Sequence, residues 1–169
     1  SQGEALWDGL MEAGEPYGCL PVGVEAQRLL RLEKGHIIVG QDTDGLTIPH
    51  EANMSWAIGK NKPFFIGKRA IDVLAAKNSN KVLVGFTLPI EVSTPEECNL
   101  TFQGNNITGR ITSVARSLVL GKTIGLAYVA TDQSKEGSNF DIKLSSGERI
   151  SATVIATPFY DPDNQRQEL

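Results

Sequence analysis

Several oxygen-bearing side chains near residue 40 follow the order of a calcium-binding loop. In the stretch GQDTDGLTIPHE, which begins at Gly40, the residues Asp42, Asp44, Gly45 and Glu51 stand third, fifth, sixth and twelfth. A calcium loop places two oxygen ligands, a glycine and a bidentate carboxylate at those positions. Metal binding is therefore the first chemistry that the sequence raises.

Three features of the same stretch argue against a calcium site. The first ligand position is Gly40, which offers no carboxylate. The preceding residues HIIVG, beginning at His36, are β-branched and predict a strand where a calcium loop needs a helix. Pro49 falls late in the loop, where the backbone should turn into the exiting helix. The sequence therefore predicts that this loop binds no calcium.

No other metal or nucleophile constellation is predicted. His36 and His50 lie fourteen residues apart, and neither has a partner at metal-ligand spacing. Cys19 and Cys98 are expected to be reduced thiols, because no secretory signal opens the sequence. Phosphate-binding glycine motifs are absent, so the chain is not expected to bind flavin or a dinucleotide itself.

Composition and charge narrow the range of partners. The chain has 169 residues, of which 40% are hydrophobic, and a formal net charge of −4. The acidic balance argues against non-specific binding to nucleic acid and against attachment to anionic membranes. No apolar run approaches the ~18 residues that a membrane span needs. The expected location is the cytoplasm.

The first half of the chain has the apolar spacing of helices. Predicted helices lie in EALWDGLMEAG, in VGVEAQRLLRLEKGH and in GKRAIDVLAAKN, with stops at Gly14, Gly35 and Asn78. In each helix the apolar side chains are expected to share one face, and that of the third helix is expected to face inward. These side chains are Leu6, Leu10 and Ala13, then Val22, Ala26, Leu29 and Leu30, then Ala70, Ile71 and Leu74.

From Lys81 onward the apolar residues alternate as they do in strands. The stretches VLVGFTL, NITGRITSVA, TIGLAYVA, NFDIKLS and RISATVIATPF predict about five strands, the last two joined by a hairpin at Ser146 and Gly147. Such a series without an intervening helix predicts a small antiparallel barrel or sandwich. The predicted fold class is therefore α+β, with a helix-and-strand region over 1–78 and a β-barrel domain over 79–169.

The second predicted helix has a polar side that suits a ligand site. Arg28 and Arg31 lie there with Glu25 and Glu33, close to Gln27. This side is either a solvated surface with ion pairs between neighbouring turns or a set of fixed donors for an anionic or heteroaromatic ligand.

A second polar feature is the stretch ATPFYDPDNQ, in which Tyr160 follows the last predicted strand. It is either an ordinary turn at the strand exit or part of a ligand pocket. The residues alone thus indicate a two-part α+β protein without a self-contained catalytic constellation.

The order of motifs along the chain resembles one known family. It is carried by LRLEKGHIIVGQDTDGLTIPHEANMSWAIGKNKPFFIGKRAI, then by RITSVARSLVLGKTIGLAYV, and finally by ATPFYDP. Together these motifs resemble the glycine-cleavage T-protein (aminomethyltransferase) superfamily over nearly all of the chain. Within that superfamily, the LEKG, IIVGQDTDGLT, FIGKRA and FYDP segments are most similar to the C-terminal, folate-binding portion of the sarcosine oxidase alpha subunit.

The resemblance implies a fold and an activity. Family members carry an N-terminal folate-binding region, a linking region and a C-terminal β-barrel, so this chain is expected to hold the last part of the first region and the barrel. The acidic residues that assist methylene transfer in the T-protein would lie upstream of Ser1, and the isolated chain is not expected to be active.

The implied chemistry is one-carbon transfer with tetrahydrofolate. In the oxidase, a flavin elsewhere in the complex oxidises the N-methyl group of sarcosine, and the folate-binding region captures the one-carbon unit as methylenetetrahydrofolate. Flavin and NAD are expected only in other parts or subunits of the complex.

The family's ligand residues carry over at few positions. The T-protein has an Ala-Arg-Asp triplet whose Arg contributes to the folate site, and the matching residues are Ala26, Gln27 and Arg28. Gln27 keeps a hydrogen-bonding side chain but lacks the fixed charge. Gln27 and Arg31 are implied as peripheral folate contacts and Tyr160 as a pocket wall, while no catalytic residue and no metal ligand is implied.

Three hypotheses for function remain open. The first is a C-terminal fragment of a tetrahydrofolate-dependent enzyme, partnered by the upstream half of the polypeptide, by folate and by other oxidase subunits. The second is a non-catalytic interaction module that has lost the ligand site. In this hypothesis the loss explains Gln27, and also Leu118 and Val119 in place of the family's Pro-Thr pair. The third is an aminomethyltransferase that acts on a lipoyl carrier protein.

Overall fold

A computed structural model describes residues 2–77, 80–166 and 168. Three α-helices occupy the first half: α1 (Gln2–Gly14), α2 (Val24–Glu33) and α3 (Lys68–Ala76). Short 3₁₀ turns lie at Glu15–Tyr17, Ser55–Ala57 and Thr131–Gln133. The predicted stop at Asn78 and the predicted domain boundary between residues 78 and 79 lie outside the described residues.

The second half forms the antiparallel barrel that the alternating pattern predicts. Its six strands are β1 (Lys81–Pro89), β2 (Leu100–Gln103), β3 (Asn106–Ser117), β4 (Lys122–Ala130), β5 (Asn139–Lys143) and β6 (Arg149–Ile155). They close in the order β1-β4-β3-β2-β5-β6. The predicted hairpin is confirmed, because Lys143 pairs with Arg149 across the turn. The strand missing from the prediction is β2, which has only four residues, too few to show a clear alternation.

Two apolar clusters stabilise this part of the molecule. The barrel interior is filled by side chains such as Phe86, Ile111, Phe140 and Ile142, all buried. The Phe86 and Phe140 rings meet edge to face with centroids 5.7 Å apart. A second cluster joins Leu32 of α2 to the barrel residues Leu83, Ile124, Leu126 and Tyr128. Helix α2 is thus anchored on the outside of the barrel.

The three helices are confirmed, but the described residues do not cover the apolar faces of α1 and α3. Among the described residues, α1 and α3 have no buried side chain. The inward orientation predicted for the third helix is wrong for Ala70 and Leu74, which are exposed, while Ile71 is half-buried. Leu6, Leu10, Val22 and Leu30 are exposed as well. Amphipathic spacing predicts which face is apolar, but it does not tell what covers that face.

The strand predicted at residues 36–40 is absent from the structure. Val39 makes a single bridge to Thr43, and the backbone turns between them. The amides of Gln41 and Asp42 both donate to the carbonyl of Ile38. Local hydrogen bonds therefore take up the backbone groups that a strand would offer to a neighbour.

Candidate functional site

Asp42 is the centre of a buried hydrogen-bond network between α2 and the barrel. The residue is 1% exposed, and its carboxylate accepts four hydrogen bonds. The donors are the Arg31 guanidinium at 2.7 Å, the Ile38 amide at 2.8 Å, and the Thr112 and Ser113 hydroxyls at 2.6 Å each. A buried carboxylate needs such donors to offset its lost hydration.

The side chains of the former calcium candidate are therefore used within the protein. Asp42 belongs to this network, and Asp44 accepts hydrogen bonds from the amides of Leu46 and Thr47 and from the Thr47 hydroxyl. The Thr47 side chain and the Leu46 amide, with a further contribution from the Thr47 amide, hold the pKa of Asp44 below its ordinary value against the opposing effect of burial. In the described ranges no group of three or more His, Cys, Asp or Glu side chains could hold a metal ion.

The polar side predicted for α2 is turned toward the barrel at its C-terminal end only. Glu33 is 3% exposed and accepts a hydrogen bond from the Ser117 hydroxyl at 2.6 Å. Arg31 donates to Asp42, to Ser113 at 2.7 Å and to the His36 carbonyl at 3.0 Å. The interpretation of this side as a solvated surface is therefore wrong for Arg31 and Glu33. It holds for Arg28, whose pair with Glu25 is exposed.

The residues after β6 fold back across the end of α2. The Tyr160 amide donates to the Glu33 carbonyl at 2.9 Å. The Lys34 ammonium donates to the carbonyl of Asp161 and to its carboxylate, and reaches the Asn164 side chain at 2.8 Å. These bonds fix Tyr160 beside the turn that follows α2.

Two glycines allow this close approach. A Cβ at Gly35 would lie 2.7 Å from the Thr157 side chain, and one at Gly85 would lie 2.7 Å from Thr157 and 2.9 Å from Phe159. Gly35 also has a left-handed φ of 66°, and its amide and that of His36 close the end of α2. The stop predicted at Gly35 is thus confirmed.

A cleft of about 580 Å³ opens where these segments meet. We call it the α2–β1 cleft. Its walls are residues 34–37, residues 52–54 with Trp56, residues 83–85 of β1, and Leu126, Thr157 and Pro158. The lining is mainly apolar, and its few polar side chains include His36, Asn53 and Thr157. This combination of volume and lining is typical of sites for small organic ligands.

The predicted ligand residues have unequal positions relative to the α2–β1 cleft. Tyr160 is half-buried and lies two residues beyond Pro158 of the cleft wall. Gln27 is exposed on α2, seven residues before Lys34 and so about 10 Å away along the helix axis. The Arg31 terminal nitrogens are bonded within the Asp42 network, and its buried Nε has no hydrogen-bond partner among the residues described. Leu118 and Val119 are exposed in the turn between β3 and β4.

The sequence-based prediction did not include His36, Trp56 or Lys34 as site residues. Trp56 is 76% exposed at the cleft, although it lies in a stretch whose pattern resembles an ordinary apolar segment. A second cavity, of about 680 Å³, is lined by residues such as His50, Gln103 and Asp132. None of the three predicted ligand residues lines this cavity or the α2–β1 cleft.

None of the helices within the described ranges is both long enough and apolar enough to cross a bilayer.

Comparison with known proteins identifies the two halves of the chain. Residues 1–62 match the family model described as the GCVT N-terminal domain. Residues 81–161 match the model described as the glycine cleavage T-protein C-terminal barrel domain. The two matches follow one another in the order of the helical part and the barrel.

Individual relatives agree with the family models. An aminomethyltransferase of Halothermothrix orenii is 35% identical over 154 residues, which cover 91% of this chain and 43% of that protein. The sarcosine oxidase subunit alpha of Corynebacterium sp. (strain P-1) is 30% identical over 175 residues, covering 98% of this chain and 18% of that protein.

A solved structure shares the fold. The glycine cleavage system aminomethyltransferase T from Bartonella henselae superposes with a TM-score of 0.82 at 26% identity, over 94% of this chain and 44% of that one. The chain thus spans less than half the length of each of these relatives. It belongs to the glycine-cleavage T-protein (aminomethyltransferase) superfamily.

Proposed function

We propose that this chain forms the C-terminal part of a tetrahydrofolate-dependent one-carbon-transfer enzyme and contributes one wall of its folate site. The observation that carries the proposal is the α2–β1 cleft, which lies beside Tyr160 at the junction of the helical part and the barrel. Family membership indicates the class of ligand, and the cleft indicates where the chain could contact it.

The residues of the cleft fit a folate. Trp56 offers a large exposed aromatic face, on which a flat heteroaromatic ring can stack. Met54 and Leu83 supply apolar wall, and Asn53 and His36 supply the polar groups that fix orientation. When bound, tetrahydrofolate supplies the amine nitrogens that take up the one-carbon unit. The role of this chain would be to bind and orient the folate and to exclude water from one side of it.

Gln27, Arg31 and Tyr160 would lie at different distances from a folate in the α2–β1 cleft. Tyr160 would close the cleft at its terminal side, and Gln27 would meet a more distant, polar part of the ligand by hydrogen bonding. Arg31 would contribute mainly by holding α2 against the barrel, since its terminal nitrogens already donate to Asp42, Ser113 and the His36 carbonyl.

The exposed apolar side chains of the helical part support a proposal that another protein segment packs on them. Large apolar side chains are exposed on α1 and on the segment that precedes α3. They are Leu6, Trp7, Leu10, Phe64 and Ile66. Monomeric proteins rarely leave large apolar surfaces exposed, so we propose that the rest of a folate-binding region packs on these side chains. In a sarcosine-oxidase-type enzyme, flavin and NAD would reside in other parts or subunits.

Two sources of the one-carbon unit fit the family. The match to a sarcosine oxidase alpha subunit over 98% of the chain supports an N-methyl amine oxidised elsewhere in the complex. Matches to several aminomethyltransferases support an aminomethyl group delivered by a carrier protein instead. Both would deliver the unit to tetrahydrofolate, so the folate site is the part of the proposal that this chain can test.

Calorimetric titration of the chain with tetrahydrofolate tests the proposal. We expect saturable binding that Tyr160→Ala weakens about tenfold, because loss of an aromatic wall costs about 1 kcal/mol or more. Gln27→Ala should weaken binding less. Tyr17→Ala is the matched control, since Tyr17 is 88% exposed and lies outside the cleft.

The titration also separates the alternatives. A folded chain that gives no saturable heat at millimolar tetrahydrofolate would contradict a folate contact within these residues. That result would favour the non-catalytic interaction module, which the exposed apolar helices also suit.

A further inference from the structure

We propose that Lys34 is a positioning residue that locks the segment after β6, and with it Tyr160, across the end of α2. The inference rests on the proposed function only in assigning this arrangement to folate binding. The lock itself is defined by contacts among described residues, namely Lys34, Asp161 and Asn164. We call this group the Lys34 clip.

The Lys34 clip is built from a helix end and a tight turn. Lys34 is the C-cap residue of α2, where a cation also interacts favourably with the helix dipole. Its Nζ donates to the Asp161 carbonyl at 2.5 Å, to the Asp161 carboxylate at 3.3 Å and to the Asn164 side chain at 2.8 Å. The side chains of Lys34 and Asp161 are only 15% and 10% exposed, so water screens the pair less than it screens a surface pair.

The segment is shaped to receive this ammonium group. Asp161 and Asn164 have left-handed φ angles of 47° and 58°, which Asp and Asn tolerate better than most residues. The Asp161 carboxylate also accepts the amides of Gln165 at 2.8 Å and Arg166 at 3.2 Å. Burial would raise the pKa of Asp161, but the Arg166 amide, the Lys34 ammonium and the Gln165 amide together hold it below its ordinary value. The carboxylate is thus kept ionised and paired with Lys34 at neutral pH.

The clip acts on Tyr160 because Tyr160 lies between two fixed points. On one side its own amide donates to the Glu33 carbonyl, one residue before Lys34. On the other side Asp161 is held by the Lys34 ammonium. Loss of the ammonium removes the attachment on the Asp161 side, and the half-buried ring of Tyr160 gains freedom that a bound ligand must then remove.

Amide hydrogen exchange and tetrahydrofolate titration of the full chain test the clip. In Lys34→Met we expect the Tyr160 amide to exchange about tenfold faster, since local opening becomes easier. Tetrahydrofolate binding should weaken about fivefold, a typical effect of lost preorganisation. Lys34→Arg should restore most of both values. Lys77→Met is the matched control, because Lys77 is the exposed C-cap residue of α3.

Asp161→Asn distinguishes positioning from direct ligand contact. Lys34 lines the α2–β1 cleft but Asp161 does not, and Asn keeps the tolerance for a left-handed backbone. We expect Asp161→Asn to change exchange and affinity in the same direction as Lys34→Met but by less, because the Asp161 carbonyl and the Asn164 side chain still accept from Lys34. The double variant should be no worse than Lys34→Met, with melting temperatures close to that of Lys77→Met.

Each contrary outcome has its own meaning. Unchanged exchange at Tyr160 in Lys34→Met would overturn the clip. Faster exchange with unchanged tetrahydrofolate affinity would overturn its positioning role. If the unsubstituted chain binds no tetrahydrofolate, the proposed function fails, and the exchange measurement still decides whether Lys34 locks the segment.

Discussion

At the scale of the residue, Asp42 joins more separate parts of the molecule than any other side chain in the candidate site. It receives donors from α2, from its own loop and from β3. We predict that Asp42→Ala lowers the free energy of unfolding by about 3–5 kcal/mol, because it leaves a largely buried arginine without its carboxylate. Urea denaturation measures the loss. The control is Asp44→Ala in the same loop, which is exposed and should cost clearly less; equal losses would contradict the central role of Asp42.

Tyr128 gives a prediction about pH. Burial raises the pKa of the Tyr128 phenol above its ordinary value of about 10, and the hydroxyl donates to the Asp42 carbonyl at 2.9 Å. When folding raises the pKa of a group, its contribution to stability is complete at pH values below the pKa of the unfolded state. That contribution is lost as the pH rises through the pKa of the folded state. We therefore predict that stability falls above pH ~10 and that Tyr128→Phe flattens this fall. Denaturant titrations between pH 8 and 11 measure this fall in stability. A fall of the same steepness in the unsubstituted chain and in Tyr128→Phe would refute the prediction.

At the scale of the element, close packing inside the barrel requires glycine where a strand passes over the Phe86 ring. A Cβ at Gly125 of β4 would lie 2.5 Å from Cε1 of Phe86 and 2.6 Å from the Ser113 carbonyl oxygen. We predict that Gly125→Ala lowers the free energy of unfolding by about 1–3 kcal/mol through overpacking. The control is Gly9→Ala, where nothing lies within 4 Å and α1 should gain helix propensity. The melting temperature should fall for Gly125→Ala and stay almost unchanged for Gly9→Ala, because α1 has no buried side chain. An unshifted Gly125→Ala would contradict the overpacking.

The elements also show what could be predicted from the sequence and what could not. Alternation of apolar residues predicted β1 and the β5–β6 hairpin, because a barrel strand shows its inner face directly in the sequence. The burial of Glu33 could not be predicted, since its partner Ser117 lies 84 residues away. The α2–β1 cleft was missed for the same reason, because its walls come from distant segments.

At the scale of the whole molecule, the covered barrel contrasts with the uncovered helices. Exposed apolar side chains favour association, so we predict that the isolated chain self-associates through α1. Leu6→Gln with Leu10→Gln should reduce that association and leave the melting temperature almost unchanged, because both leucines are exposed. Leu32→Ala, at a buried position of α2, should instead cost about 2–5 kcal/mol. Melting curves and sedimentation velocity compare the two. A large stability loss from the α1 variant would mean that α1 already packs against this chain.

We propose that the α2–β1 cleft contacts tetrahydrofolate, and the two tryptophans allow a direct test of this contact. Trp56 lines the cleft, whereas Trp7 lies on α1 outside it. We would record ¹H–¹⁵N spectra of the labelled chain during titration with tetrahydrofolate. We expect a saturable shift of the Trp56 indole signal and of the Gly35 and His36 amide signals, with the Trp7 indole signal unmoved. Shifts confined to Trp7, or no shift at the cleft at millimolar ligand, would contradict it.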